Sequence, residues 1–292
     1  LLEEEGDYEG ALVQYREAAS IVPDQPDYYR SIGSVCYRAE DYEQAIEALQ
    51  EAIRLDADDP RAHALLGRSL AAATYYDEAL RAYGQAINLA PEAAAYHRDL
   101  GHLFYVLGDA ESAVESLQTA VSLDLSDAKA HEWLGEIWEY QAVGDPSYLE
   151  EALYEYRQAA DLAPPVARHQ RAYGRVLRKL GRFEEAIKAL LKALNVDSED
   201  AESHYELGLA LEAQKRYQEA RSHYQDAIAL APERTRYRVR LGTVWRKIAL
   251  QARRLQRTGL DREAAWGDGL GPEGYEEGIA SLRTAAEFGV DS

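Results

Sequence analysis

Methionine is absent from the 292 residues, cysteine occurs once, and phenylalanine occurs three times. A single Cys excludes an internal disulfide framework and a cysteine-ligated zinc site. No window approaches the roughly 18 consecutive apolar residues of a membrane helix, so no membrane insertion is expected. No Asn-x-Ser/Thr sequon occurs, and the first residues lack the basic and then apolar pattern of a signal peptide, which leaves the compartment open. The chain begins at Leu1 rather than Met, and it is expected to be a piece of a longer one. Against these scarcities stand 21 Tyr, 47% hydrophobic residues and 29% charged residues. That much apolar material can bury a core, which excludes wholesale disorder.

The organising signal is a repeat. Gly33, Gly67, Gly101 and Gly135 are spaced by 34 residues, and so are Gly174, Gly208 and Gly242. The residue before each glycine is large and apolar: Ile32, Leu66, Leu100, Leu134, Tyr173, Leu207 and Leu241. Twelve residues after the glycine stands an alanine (Ala45, Ala79, Ala113, Ala186, Ala220), and nineteen after it another (Ala52, Ala86, Ala120, Ala193, Ala227). Between them, sixteen after the glycine, comes Leu49, Tyr83, Leu117, Leu190 or Tyr224. Spacing near 3.6 predicts two amphipathic helices per unit, joined by short turns such as Leu107-Gly108-Asp109 and Leu180-Gly181-Arg182. No strand is indicated. Helix backbones approach closely only where the side chain is nearly absent, so the glycine is expected to receive the large residue of the second helix. Pro23, Pro91, Pro164 and Pro232 follow second helices and stop them.

A 34-residue helix-turn-helix with small residues at fixed places and a closing proline resembles the tetratricopeptide repeat, over nearly the whole chain. The resemblance implies an all-α, right-handed superhelical solenoid. Where that family often has Trp four residues before the glycine, this chain has Tyr29, His63, His97, His131, Gln170, His204 and Arg238. Residues 1–292 divide into a half repeat at 1–23, six repeats over 26–234, and a last repeat over 235–292 with a long insertion near 251–274. Repeats are expected to begin near Pro26, Pro60, Ala94, Ala128, Ala167, Ala201 and Thr235. The fourth carries a short insertion, since Gly135 to Ala152 is 17 residues rather than 12. Neither end has a polar capping helix, so Leu12 and Tyr15 at one end and Leu282 and Phe288 at the other are expected to be exposed for stacking. Trp266, in the glycine-rich insertion, is expected to dock on a surface.

Charge is segregated within the net of −20. Residues 1–163 carry 10 Lys/Arg against 33 Asp/Glu, whereas residues 164–260 carry 20 against 11. The resemblance implies that first helices line a concave groove, with residues three before and one after the glycine pointing into it. Arg168, Arg171, Arg175 and Arg178 form one helical stripe, and Arg236, Arg240, Arg246 and Lys247 extend the basic region. These eight are the candidate binding residues, with Arg171 and Arg175 expected to be exposed. Guanidinium forks suit carboxylates, so the expected partner is an acidic peptide or protein segment. The overall negative charge and the absence of an RNA-binding signature speak against nucleic acid. The Lys and Asn clamp with which some members of the family hold chaperone tails is absent, because Asn88 and Asn195 both fall in second helices.

Enzyme signatures fail on inspection. Residues 269–274 match a dinucleotide fingerprint but lack the preceding strand and contain Pro272. His131-Glu132-Trp133-Leu134-Gly135 has glycine where a zinc protease needs its second His. His63, His97, His131 and His204 occupy equivalent places in separate repeats, so no metal is expected among them, and Cys36 reads as a buried structural thiol. No cofactor is expected. The chain is therefore read as a non-catalytic protein-binding scaffold. The alternative is a structural subunit that stacks on copies of itself head to tail into a filament or ring. A weaker third reading is the substrate-recruiting arm of a larger enzyme.

Overall fold

The computed structural model describes residues 7–257. Trp266, Leu282, Phe288 and the insertion beyond Arg257 lie outside the described residues. Fourteen helices, and no strand, occur among the described residues. They are α1 (Tyr8–Ile21), α2 (Pro26–Arg38), α3 (Tyr42–Leu55), α4 (Pro60–Ala72), α5 (Tyr76–Leu89), α6 (Ala94–Leu107) and α7 (Ala110–Leu123). They continue with α8 (Ala128–Gln141), α9 (Tyr148–Leu162), α10 (Ala167–Lys179), α11 (Phe183–Val196), α12 (Ala201–Ala213), α13 (Tyr217–Leu230) and α14 (Thr235–Arg257). The seven expected repeat starts coincide with the first residues of the even-numbered helices. No helix among the described residues is long and apolar enough to cross a membrane.

Helix ends are set by local chemistry. Asp7, Asp41, Asp59, Asp109 and Asp200 each accept a backbone N–H at a helix N-terminus. Pro26 and Pro60 stand at first helical positions, where no N–H is missed. In repeats one, two, three, five and six the turn between the two helices has a left-handed residue seven after the repeat glycine. Gly108 (φ 81°) and Gly181 (φ 77°) supply it freely, whereas Glu40, Thr74 and Lys215 adopt φ of 61°, 66° and 64° against their Cβ sterics. The family's Trp position has also been put to use. Ring N–H groups of His63, His97 and His204 donate to the carbonyls of Ala57, Pro91 and Ser198, each six residues upstream, at 3.0, 2.8 and 3.2 Å.

The described chain falls into two compact units that divide inside α8, after Ile137. In the first, α1 to α7 pack each on the next, and α2, α4 and α6 also touch in succession. In the second, α9 to α14 pack in the same serial order, with α10 against α12. Contacts confined to neighbouring repeats make this an all-α solenoid. The repeat glycines are where the helices of a pair meet. A Cβ built on Gly33, Gly101 or Gly174 would stand 2.5–2.7 Å from Cγ of Leu49, Leu117 or Leu190, and one on Gly67 or Gly208 would strike the ring of Tyr83 or Tyr224. Ala45, Ala79, Ala113, Ala186 and Ala220 are all fully buried beside these contacts.

At the N-terminal end the expected exposure is corrected. Leu12 and Tyr15 are half-buried against a cluster of Ala19, Ile32, Cys36 and Ala45, because the inner stripe of α1 is covered by α2. The exposed apolar residues of α1 are Val13 and Ile21.

A second period, twice the length of the first, runs through the packing. Repeats one, three and five place leucine against the glycine (Leu49, Leu117, Leu190), and repeats two and six place tyrosine (Tyr83, Tyr224); the second helix of repeat four carries a buried tyrosine too, Tyr156. Repeats one, three and five also carry Arg three residues before the glycine. Arg30, Arg98 and Arg171 each reach the Asp that caps the following first helix, Asp59, Asp127 and Asp200 respectively. Even repeats have Ala64, Glu132 and Tyr205 at that place, and the next caps are Ala93, Val166 and Arg234.

Candidate functional site

The basic stripe of the second unit is occupied by the protein's own carboxylates. Arg175 donates twice to Glu139, through Nε at 2.9 Å, and Lys179 adds a third bond at 2.7 Å. Arg171 pairs with Asp200, Arg178 with Glu206 at 2.8 Å, Arg236 with Glu202, and Lys247 with Glu212 at 2.6 Å. Burial would push the Glu139 carboxyl up, but its hydrogen bonds and the charges of Arg175 and Lys179 outweigh that and hold it below the ordinary carboxylate range. Arg175 is raised: burial opposes its charge, and Glu139 more than offsets the penalty. The side chains of Arg171 and Arg175 are only 26% and 30% exposed. The expected exposure of this pair is therefore corrected: acids contributed by neighbouring helices cover both. Arg236 also lies over the rings of Tyr205 and Tyr237, and Arg240 stands beside the Tyr205 hydroxyl. Arg168 and Arg246 are exposed.

Two of these ion pairs share one design. Tyr156 donates to Glu139 at 3.1 Å and Tyr224 to Glu212 at 2.7 Å. Each glutamate lies four residues after a repeat glycine, and each also takes the Lys five residues after the next glycine, Lys179 or Lys247. Even repeats four and six thus close the space beside their tyrosine with a Tyr–Glu–Lys triad.

Repeat two has the tyrosine and neither partner. Ala71 stands where the glutamate would be and Val106 where the lysine would be, and here the first unit opens a cavity of about 410 Å³. Tyr83, 3% exposed and lining that cavity, has no hydrogen-bond partner among the described residues. Around it stand Tyr37, Tyr76, Arg68, Arg98, Asp99, His102, Lys129 and Trp133. Asp99 accepts from Arg68 at 2.6 Å and from Arg98 at 3.0 Å, and Arg98 continues to Asp127 at 3.0 Å. Lys129 lies 5.1 Å above the Trp133 ring and forms no ion pair among the described residues. His102 stacks on Trp133 with ring centroids 4.1 Å apart, and burial, then Lys129, hold its imidazolium below the usual value. Counting Arg68, Arg98 and Lys129 against Asp99 and Asp127, the wall carries one uncompensated positive charge. An anionic group small enough to stand in for the missing glutamate would meet the Tyr83 hydroxyl and this excess together.

Models of the tetratricopeptide repeat match residues 2–69, 64–121, 98–167 and 171–235. The chain belongs to the tetratricopeptide repeat family. None of the curated proteins matches it in sequence. Among solved structures, a chain of the Cut9–Hcn1 hetero-tetramer of APC/C superposes with a TM-score of 0.64 at 22% identity, over 83% of this chain and 47% of that one. This tetratricopeptide chain thus corresponds to just under half of that neighbour. Pseudomonas aeruginosa pilF gives a TM-score of 0.63 at 18% identity, covering 73% and 94%. The human IFIT1 dimer with m7Gppp-AAAA gives 0.58 at 18% identity, covering 97% and 68%. At these identities the likeness is one of fold. Repeats of this family serve in general as protein-interaction scaffolds, and that coarse role applies here.

Sequence reasoning placed Arg68, Arg98 and His102 on the groove through the family resemblance but chose residues 168–247 as the binding surface. It missed Tyr83, Lys129 and Trp133 as a set. The signal available was an absence, the pairing of Ala71 with Val106 where later even repeats carry Glu and Lys.

Proposed function

We propose that the chain is a non-catalytic scaffold that holds an acidic peptide or protein segment in its groove, with one partner carboxylate seated in the cavity of the first unit. The observation that carries this reading is the incomplete triad of repeat two: a tyrosine on the cavity lining whose hydroxyl has no hydrogen-bond partner among the described residues, and a net positive wall around a space that Glu139 and Glu212 occupy in the equivalent repeats. A hydrogen bond to a charged acceptor is worth about 1.5–3 kcal/mol, enough for a tenfold or larger preference over a neutral isostere. The groove's basic stripe in the second unit contributes less, since most of its cations are already paired.

Calorimetric titration with a glutamate-rich peptide, its glutamine counterpart and an oligoadenylate tests the proposal at about 0.15 M salt, where the Debye length is about 8 Å. The acidic peptide is expected to bind and the other two are not. Ala71→Glu with Val106→Lys rebuilds the triad inside the cavity, and it is expected to keep the fold and abolish binding. Equal affinity for the glutamine peptide, preference for the oligoadenylate, or undiminished binding by the rebuilt variant would overturn the reading.

A further inference from the structure

A cluster apart from that cavity joins the two helices of repeat six. His204 on α12 and His223 on α13 face each other through their Nδ1 atoms at 3.0 Å. Oδ2 of Asp226, one turn beyond His223, lies 3.6 Å from the first nitrogen and 3.8 Å from the second. Zinc bonds of about 2.0–2.1 Å to nitrogen and oxygen place tetrahedral ligands about 3.3–3.4 Å apart, so the three observed edges bracket the required triangle.

The tautomers suit this arrangement. Nε2 of His204 lies 3.2 Å from the carbonyl oxygen of Ser198, which only accepts, so Nε2 carries the hydrogen and Nδ1 presents its lone pair. A ring nitrogen held by a backbone carbonyl behind the ligating one is the usual support of a metal-bound histidine. His223 then donates its Nδ1 hydrogen to His204, and a metal ion would displace that hydrogen to Nε2 without net proton release.

The repeat itself does not demand these residues. At the place of His223, fifteen after the repeat glycine, the regular repeats have Ala48, Ala82, Ser116 and Ala189. At the place of Asp226 they have Glu51, Gln85, Thr119 and Lys192. His63 and His97 form the same bond to an upstream carbonyl as His204 but face Ala82 and Ser116 in register, so they have no second imidazole to share a metal with. Repeat six alone among these replaces a small residue at the helix contact with a ligand.

We propose that His204, His223 and Asp226 form a binding site for a divalent transition metal, zinc in the first instance, that ties α12 to α13. Asp226 is exposed, so the remaining coordination position faces solvent and takes water or a donor from a bound partner. Titration of the chain with Co(II) at pH near 7.5, read by the ligand-field absorption of a tetrahedral ion, tests the site, with Zn(II) competition and calorimetry alongside. One equivalent is expected to bind, to be displaced by Zn(II), and to raise the melting temperature. His223→Ala restores the residue that most other repeats carry and should melt normally without metal, yet lose more affinity than the roughly 10–100-fold that removing an outer-shell partner costs. Asp226→Asn should weaken binding less. Metal uptake unchanged in His223→Ala, which would place the ion on scattered surface carboxylates, or the absence of a cobalt absorption band in the parent, would overturn the site.

Discussion

Replacing glycine by alanine at two places should have opposite signs, and the difference isolates what the 34-residue period is for. Gly84 lies inside α5, and a Cβ there would meet nothing within 4 Å. Gly101 lies inside α6, where the same atom would stand 2.7 Å from Leu117 Cγ and 3.1 Å from both the carbonyl oxygen of Ala113 and the amide nitrogen of Leu117. Both variants gain the helix preference of alanine over glycine, about 1 kcal/mol. Only Gly101→Ala must then move a neighbouring helix, since two of its three contacts are backbone, and overpacking of that kind costs about 1–3 kcal/mol. Gly84→Ala is expected to be stabilised by about 0.5–1 kcal/mol and Gly101→Ala destabilised by about 1 kcal/mol. The propensity gain cancels between them, leaving the packing cost alone. Domains of this size shift by about 2–4 °C per kcal/mol, so melts followed by circular dichroism should separate the two by several degrees. If Gly101→Ala melts with or above Gly84→Ala, close helix approach does not explain the repeated glycine.

Four further outcomes are expected. Thr74→Gly relieves a β-branched residue from a left-handed conformation that costs about 1–2 kcal/mol, and after the entropy loss of glycine the urea midpoint should rise by the equivalent of about 0.5–1 kcal/mol. Glu139→Gln strands Arg175 and Lys179 and should cost about 1–3 kcal/mol, discounted because both cations are partly solvated. Since the folded carboxyl is held below its ordinary 4.5, its contribution is full above that pH and disappears as the pH falls through the folded value; acid titration of stability should therefore be shallower in Glu139→Gln than in the parent. A double-mutant cycle on Arg98→Ala and Asp127→Ala should give a coupling energy of about 0.5–3 kcal/mol, whereas the same cycle on Arg98 and the exposed Glu115 should give none. Burial raises the Cys36 thiol, so a disulfide reagent should react with the native chain far more slowly than with the urea-unfolded one.

The repeat starts, the helix pairs and the contact of Gly101 with Leu117 were legible because each depends on one residue type at one spacing. The fate of Arg171 and Arg175 was not, although Arg30, Arg98 and Arg171 each precede their Asp by 29 residues. Summing charge along a stripe counts cations and overlooks carboxylates delivered from a neighbouring helix. The cavity was hidden for a different reason: Ala71 and Val106 are unremarkable in themselves and matter only beside Glu139 with Lys179 and Glu212 with Lys247. His223 escaped because histidines were compared at equivalent places, and its partner His204 stands at a different one.

The double period sets what this chain can gain or lose in units. A leucine or tyrosine fits the glycine of its own helix pair, so that contact travels with a single repeat. The arginine three before the glycine fits an aspartate that belongs to the repeat after it, and only odd repeats offer the arginine. Deleting one repeat would bring an arginine against Ala93 or Arg234, or leave Asp127 without its cation. Deleting an adjacent odd and even repeat together restores every such match. Lengthening or shortening of this solenoid, whether in descent or by design, should therefore proceed two repeats at a time.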